Sequence, residues 1–152
     1  MKKIVIILVS LTLTMCASKE DKQRKVVKNY FETILKTNDE DMYKIFSLLK
    51  ITKPLSQEKK DDYLNFFKSV KKFLAGKEYE ILNFQQTAAL LAKHDVGTEP
   101  MNSDKGTVFY IYVPSEERLF WEAATVVDDQ YNIIAIAIEL GEKPKQLSIR
   151  YL

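Results

Sequence analysis

The stretch LFWEAATVVDDQYNIIAIAIEL, residues 119–140, decides the fold class. Its two arms, Leu119 to Val127 and Ile133 to Leu140, are rich in β-branched and aromatic residues, and Asp128-Asp129-Gln130-Tyr131 between them are turn formers. This is an antiparallel hairpin. A two-residue and a four-residue loop give the same register, with Thr125 opposite Ile134, Ala123 opposite Ile136 and Trp121 opposite Ile138. Alternation then places Phe120, Glu122, Ala124 and Glu139 on the other face, together with Ala135 and Ala137. Only the Trp121/Ile136 face is free of charge, so helices are expected to cover it. Trp121, Ala123, Thr125, Ile134, Ile136 and Ile138 make up that face.

Upstream of the hairpin, Thr107 to Val113 and Tyr79 to Gln86 have the same composition and read as two further strands. Between these two, Ala88 to Ala92 fits a helical turn or more strand, and Asp95 to Lys105, with Gly97, Pro100 and Gly106, reads as loop. The first half of the chain has a helical period instead. Val26, Val27, Tyr30, Phe31, Ile34 and Leu35 recur at three-to-four spacing and predict one helix. Asn38-Asp39-Glu40-Asp41 supplies a cap and first-turn acids for a second, with Met42, Tyr43, Ile45, Phe46, Leu48 and Leu49 as its apolar residues and Pro54 beyond its end. Ser56 can cap a third, whose face is Tyr63, Phe66, Phe67, Val70, Phe73 and Leu74 and whose stop is Gly76. The expected fold class is α+β, with three N-terminal helices packed on a curved antiparallel sheet of about four strands.

The beginning of the chain has a different character. Lys2 and Lys3 precede Ile4 to Met15, an uncharged and mainly apolar run of twelve residues, after which come Cys16, Ala17 and Ser18. That is the pattern of an export signal. At about 1.5 Å per residue such a run falls short of a bilayer core about 30 Å thick, so a permanent spanning helix is not expected. Leu13-Thr14-Met15-Cys16 resembles the lipobox of bacterial lipoproteins, an aliphatic residue and two small ones before the modified cysteine; Met15 departs from the small residue usual there. The resemblance implies cleavage before Cys16 and acyl chains on it, hence a lipid anchor in the bacterial cell envelope, on the periplasmic face or at the outer membrane. The other reading is a plain secretory signal cut near Ala17-Ser18. The expected organisation is a signal at 1–15, a lipidated tether at 16–24, one α+β domain at 25–143 and a tail at 144–152.

Composition narrows the function. The 152 residues, 46% of them apolar, suit one ordinary core. The formal charge of +2 falls away when Lys2 and Lys3 are removed with the signal, leaving 21 basic against 21 acidic residues. Without a concentrated basic surface, nucleic acid is not an expected partner. One cysteine forms no internal disulfide. His94 is the sole histidine, so a catalytic Ser-His-Asp or Cys-His pair would have to use it; His94-Asp95 neighbours in sequence rarely point the same way, and a loop position explains them better. A zinc site has too few ligands of the right kind, so neither metal nor cofactor is expected. Asp39-Glu40-Asp41, Asp61-Asp62 and Glu116-Glu117 read as helix starts and turns. Lys59-Lys60, Lys71-Lys72 and Lys143-x-Lys145 read first as solvated faces and second as contacts to anionic headgroups.

Val27-x-x-Tyr30-Phe31 with Asn38 to Met42, and later Leu119-Phe-Trp121 with Asp128 to Ile138, set out helices first and then a late Trp-bearing strand with a final hairpin. This layout resembles the cystatin-like cone of the nuclear-transport-factor-two-like superfamily. The resemblance implies a cone that encloses an apolar pocket, which Trp121, Ala123, Thr125, Ile134, Ile136 and Ile138 would line; some relatives are isomerases or dehydratases, and many only bind or dimerise. Ketosteroid isomerases of that superfamily set an Asp base opposite a Tyr and a protonated Asp, and no position here matches those residues. The expected function is accordingly a membrane-anchored lipoprotein with a non-catalytic binding domain, its partner a protein, an apolar small ligand or a second copy in a homodimer. The alternative is a small pocket enzyme of isomerase or dehydratase type.

Overall fold

The computed structural model describes residues 18–94, 100–140 and 147–151, so Cys16, the signal-like run and Asp95 lie outside the described residues. The described chain is α+β. Its order is α1 (Lys19–Lys36), a 3-10 helix (Asp39–Leu48), α2 (Gln57–Leu74), β1 (Glu80–Leu82), α3 (Phe84–Lys93), β2 (Thr107–Val113), a 3-10 turn (Pro114–Glu116), β3 (Arg118–Val127), β4 (Ile133–Leu140) and β5 (Leu147–Tyr151). The five strands form one antiparallel sheet in sequence order.

α1 begins seven residues earlier than its apolar face suggests, which corrects the reading of 19–24 as part of a tether. Ser18 Oγ accepts from the Asp21 N–H at 3.1 Å, and Asp21 Oδ2 accepts from the Ser18 N–H at 3.0 Å. This reciprocal cap satisfies two otherwise orphaned donors. The polar first turns then stay helical because Gln23, 1% exposed, is held by the sheet. Its amide donates to the carbonyls of Val127 and Asp128 and accepts from Thr107 Oγ1.

The second helix is a 3-10 helix, and the spacing explains it. Met42 and Ile45 are fully buried and Leu48 packs beside them, so the inward residues repeat every third position, the period of that helix. Tyr43, one of the apolar residues of this helix, is left 58% exposed. α2 follows expectation, from the Ser56 cap to Gly76, whose φ of +71° is the left-handed stop. The strand expected at Tyr79 to Gln86 is cut short after Leu82. Asn83 and Gln86 form a second reciprocal cap that starts α3.

The pairing of β3 with its neighbours is interrupted at two places, both bulges. In β2 and β3, Ile111 pairs with Phe120 but Phe109 pairs with Thr125, so Trp121 to Ala124 stand against Tyr110 alone. In β3 and β4, Val126 pairs with Ala135 and Val127 with Ile133, which leaves Ile134 extra. Each insertion reverses the alternation. Thr125 therefore faces Ile136, not Ile134, and the expected partners for Ala123 and Trp121 are displaced with it. The residues expected as a tail supply β5, in which Ile149 pairs with Ile138 and Leu147 with Leu140. Its alternation of Leu147, Ile149 and Tyr151 with Ser148 and Arg150 is ordinary strand patterning.

α1, the 3-10 helix and α2 cover one sheet face. Val27, Phe31, Ile34, Phe67 and Val70 meet Phe109, Ile111, Val127, Ile133 and Ile136 in the main core, all at most 1% exposed. On the other face Val108, Tyr110, Ala124, Val126 and Ala135 form a smaller cluster with Met101, Leu119, Trp121 and Ile134. Gly106 is required where the chain enters β2, because a Cβ there would overlap the Val127 carbonyl.

Candidate functional site

The six residues expected to share a pocket do not share one. Ala123, Thr125 and Ile136 are at most 1% exposed; Ala123 and Ile136 belong to the main core, and Thr125 stands opposite Ile136 and Phe109 of that core. The Thr125 hydroxyl is used locally, donating to the Ala123 carbonyl at 3.2 Å. Trp121 and Ile134 pack on the opposite face, moved there by the two bulges. The Ile138 side chain lies outside the described residues, although its backbone pairs with Ile149. A filled core thus stands where the pocket was expected.

Trp121 does line a different cleft, and so does His94. The space is about 320 Å³, bounded by Leu90, Leu91 and His94 from α3 and by Tyr112, Glu117, Arg118, Leu119, Trp121 and Glu122 from β2 and β3. The Asn83 cap sets the start of α3, and His94 closes it with its N–H on the Leu90 and Leu91 carbonyls. Glu117 holds a left-handed backbone, φ 48°, after the Pro114–Glu116 turn. The indole is fixed edge-on against Tyr110, ring centres 5.4 Å apart. Tyr110 in turn donates from its hydroxyl to the Met101 carbonyl at 2.6 Å, and burial pushes that phenol well above its ordinary value. An imidazole, a guanidinium and two carboxylates around an indole can bind a small polar aromatic molecule or exchange protons with it. Among the described residues no Ser, Thr or Cys lines this cleft to act as a nucleophile.

A second cavity, of about 520 Å³, is apolar. Tyr43, Phe46, Ile51, Pro54, Leu55, Gln57, Lys60 and Leu64 line it, and Lys60 is the one charged residue among them. Its floor is the aromatic cluster of the core: Phe46 meets Phe67 at 5.5 Å and Tyr63 at 6.2 Å, and Phe67 meets Tyr30 at 6.4 Å between ring centres. The sequence hid this groove because Tyr43 and Phe46 stand undistinguished among the apolar residues of this helix; the three-residue spacing of Met42, Ile45 and Leu48 is the signal that separates them.

The third cleft, about 560 Å³, runs between α1 and the edge strand β1 and is lined by Arg24, Lys28, Glu32, Lys77, Tyr79 and Glu80 among others. Its cations are engaged. Arg24 donates to Ile81 O, Glu20 and Gln86, Lys28 reaches Glu32 at 3.8 Å, and Lys77 reaches Glu116 at 2.7 Å. Arg24 covers a backbone carbonyl of the edge strand, which guards an exposed sheet edge.

At the other end of α1, Asp128 organises the hairpin loop. Partial burial raises its carboxyl, and hydrogen bonds from Asn132 N–H, Lys50 Nζ, Asn132 Nδ2 and Gln130 N–H outweigh that and hold it down at about 2. Among the described residues no group of three or more His, Cys, Asp or Glu side chains is placed to hold a metal ion, and no helix is long and apolar enough to cross a membrane. No family model, no curated protein and no solved structure matches the chain.

Proposed function

We propose that this chain is a bacterial lipoprotein: residues 1–15 direct export, Cys16 takes the acyl chains, and the α+β domain works at the cell envelope by binding a protein or an apolar ligand. The observation that carries the reading is the succession Leu13-Thr14-Met15-Cys16, Ala17, Ser18, in which the lipobox-like run is followed after a single residue by the cap of α1. A cysteine at that place has an evident use as an attachment point and none in the core. Each buried methylene of an acyl chain contributes about 0.8 kcal/mol, so two or more chains hold a domain stably at a bilayer. Export of the full chain in a bacterial host fed an alkynyl fatty acid tests the reading. Label on the wild type that is lost in Cys16→Ala supports it; an exported, unlabelled wild type overturns it.

A second reading, the small pocket enzyme, draws support from the cleft where Glu117 and Glu122 accompany His94, Tyr112 and Trp121. NMR titration with small aromatic carbonyl compounds checks it: shifts at Trp121, Glu117 and Glu122 are expected, and none at all three removes the reading.

A further inference from the structure

We propose that the region from the start of α1 to the apolar groove is a bilayer-docking surface, which sets the domain against the lipid with the groove's rim in the interface. The inference rests on the lipid-anchor reading above and names the partner of the anchored domain. Two exposed large hydrophobic residues stand out among the described residues, Tyr43 at 58% and Tyr131 at 39%, and both belong to this region. Tyr43 shares the groove with Ile51 and Leu55. Tyr131 sits on the hairpin loop, its N–H on the Asp128 carbonyl. Lys50 joins the two: its N–H donates to the Ile133 carbonyl, its ammonium reaches Asp128 at 3.0 Å, and Ile51 follows it. The same loop meets the start of α1, where Lys19 pairs with Asp129 at 2.6 Å. Cys16 is two residues before the Ser18 cap, a reach of at most about 7 Å, so acyl chains there enter a bilayer beside this loop.

Tyrosine, apolar side chains and a rim lysine are the side chains that settle at a membrane interface, ring in the acyl boundary and polar tip in the headgroups. Charge is a minor part of the attraction. Lys19, Lys50 and Lys44 are each paired with an aspartate, and Lys60 stands near Glu58, Asp61 and Asp62 on α2. Docking should therefore persist on vesicles of neutral lipid.

The test uses the full chain, extracted in detergent and returned to phosphatidylcholine vesicles, with a nitroxide on Tyr43→Cys, on Tyr131→Cys, or on Lys72→Cys as the control. Lys72 is exposed and lies about 18 Å along α2 from Lys60. The expected result is that labels at 43 and 131 become accessible to oxygen and shielded from an aqueous nickel chelate, while the label at 72 stays aqueous. Labels at 43 and 131 as aqueous as that at 72 would overturn the proposal. So would a label at 43 that is immobilised without vesicles and in proportion to protein concentration, which assigns the groove to a second copy. Intact mass of each sample reports acylation of Cys16 separately. Acyl mass with aqueous labels removes the surface and keeps the anchor; docked labels without acyl mass do the reverse.

Discussion

Gln23 occupies a place that its neighbours disguise. In a run of Lys, Glu, Asp and Arg it reads as solvated, yet it bridges α1 to the Val127 and Asp128 carbonyls and to Thr107. Gln23→Leu leaves buried polar groups unmet and is expected to cost about 2–3 kcal/mol in urea unfolding; a loss under about 0.5 kcal/mol would contradict the bridge. Tyr30 is the converse, a fully buried hydroxyl with no hydrogen-bond partner. Burial, and then Tyr63 nearby, push its phenol up. Tyr30→Phe removes that polar group and is expected to leave stability unchanged or raise it by up to about 1 kcal/mol in the same measurement. Asp128 makes stability depend on pH. Its folded value of about 2 is below the unfolded value of about 3.9, so its contribution is present above about pH 4 and is lost as pH falls toward 2. The carboxylate is 14% exposed, and about 2 kcal/mol is the scale of the effect. Asp128→Asn should therefore lower stability by about 1–2 kcal/mol at pH 6 and by almost nothing at pH 2, compared across urea titrations.

At the scale of elements, what was legible was what repeats. α2 with its Ser56 cap and Gly76 stop, the third and fourth strands and the turn at Asp128 could all be placed from period and punctuation. What escaped was set by single contacts that no period reports. The Asn83 and Gln86 cap turns expected strand into α3, and the two bulges exchange Trp121 for Phe120 on the helix-covered face. An odd number of extra residues, three in β3 and one in β4, leaves composition untouched while it flips every side chain beyond it, so alternation misassigned the pocket. The cleft at His94 was illegible for the same reason, since it needs α3 and the displaced Trp121 together. Asn83→Ala deletes the acceptor for the Gln86 N–H and the bond to Glu20, and is expected to cost about 1 kcal/mol, with faster amide exchange confined to α3. Unchanged exchange there would show that packing alone holds the helix.

For the whole molecule, the α+β architecture leaves a filled core between its helices and the sheet, and its cavities lie around it as clefts of 320 to 560 Å³. That arrangement suits a domain that works by its surface, and α1 begins at Lys19, three residues after the proposed attachment point. An anchor at Cys16, as proposed, would set the end of the molecule that holds the start of α1 against the bilayer. The most direct check of the anchor is the intact mass of the chain expressed in a bacterial host and extracted in detergent, beside Cys16→Ala. A mature chain that begins at residue 16, carries added acyl mass and loses it in the variant is the result expected. An unmodified chain beginning elsewhere would contradict it and make this a secreted domain without an anchor.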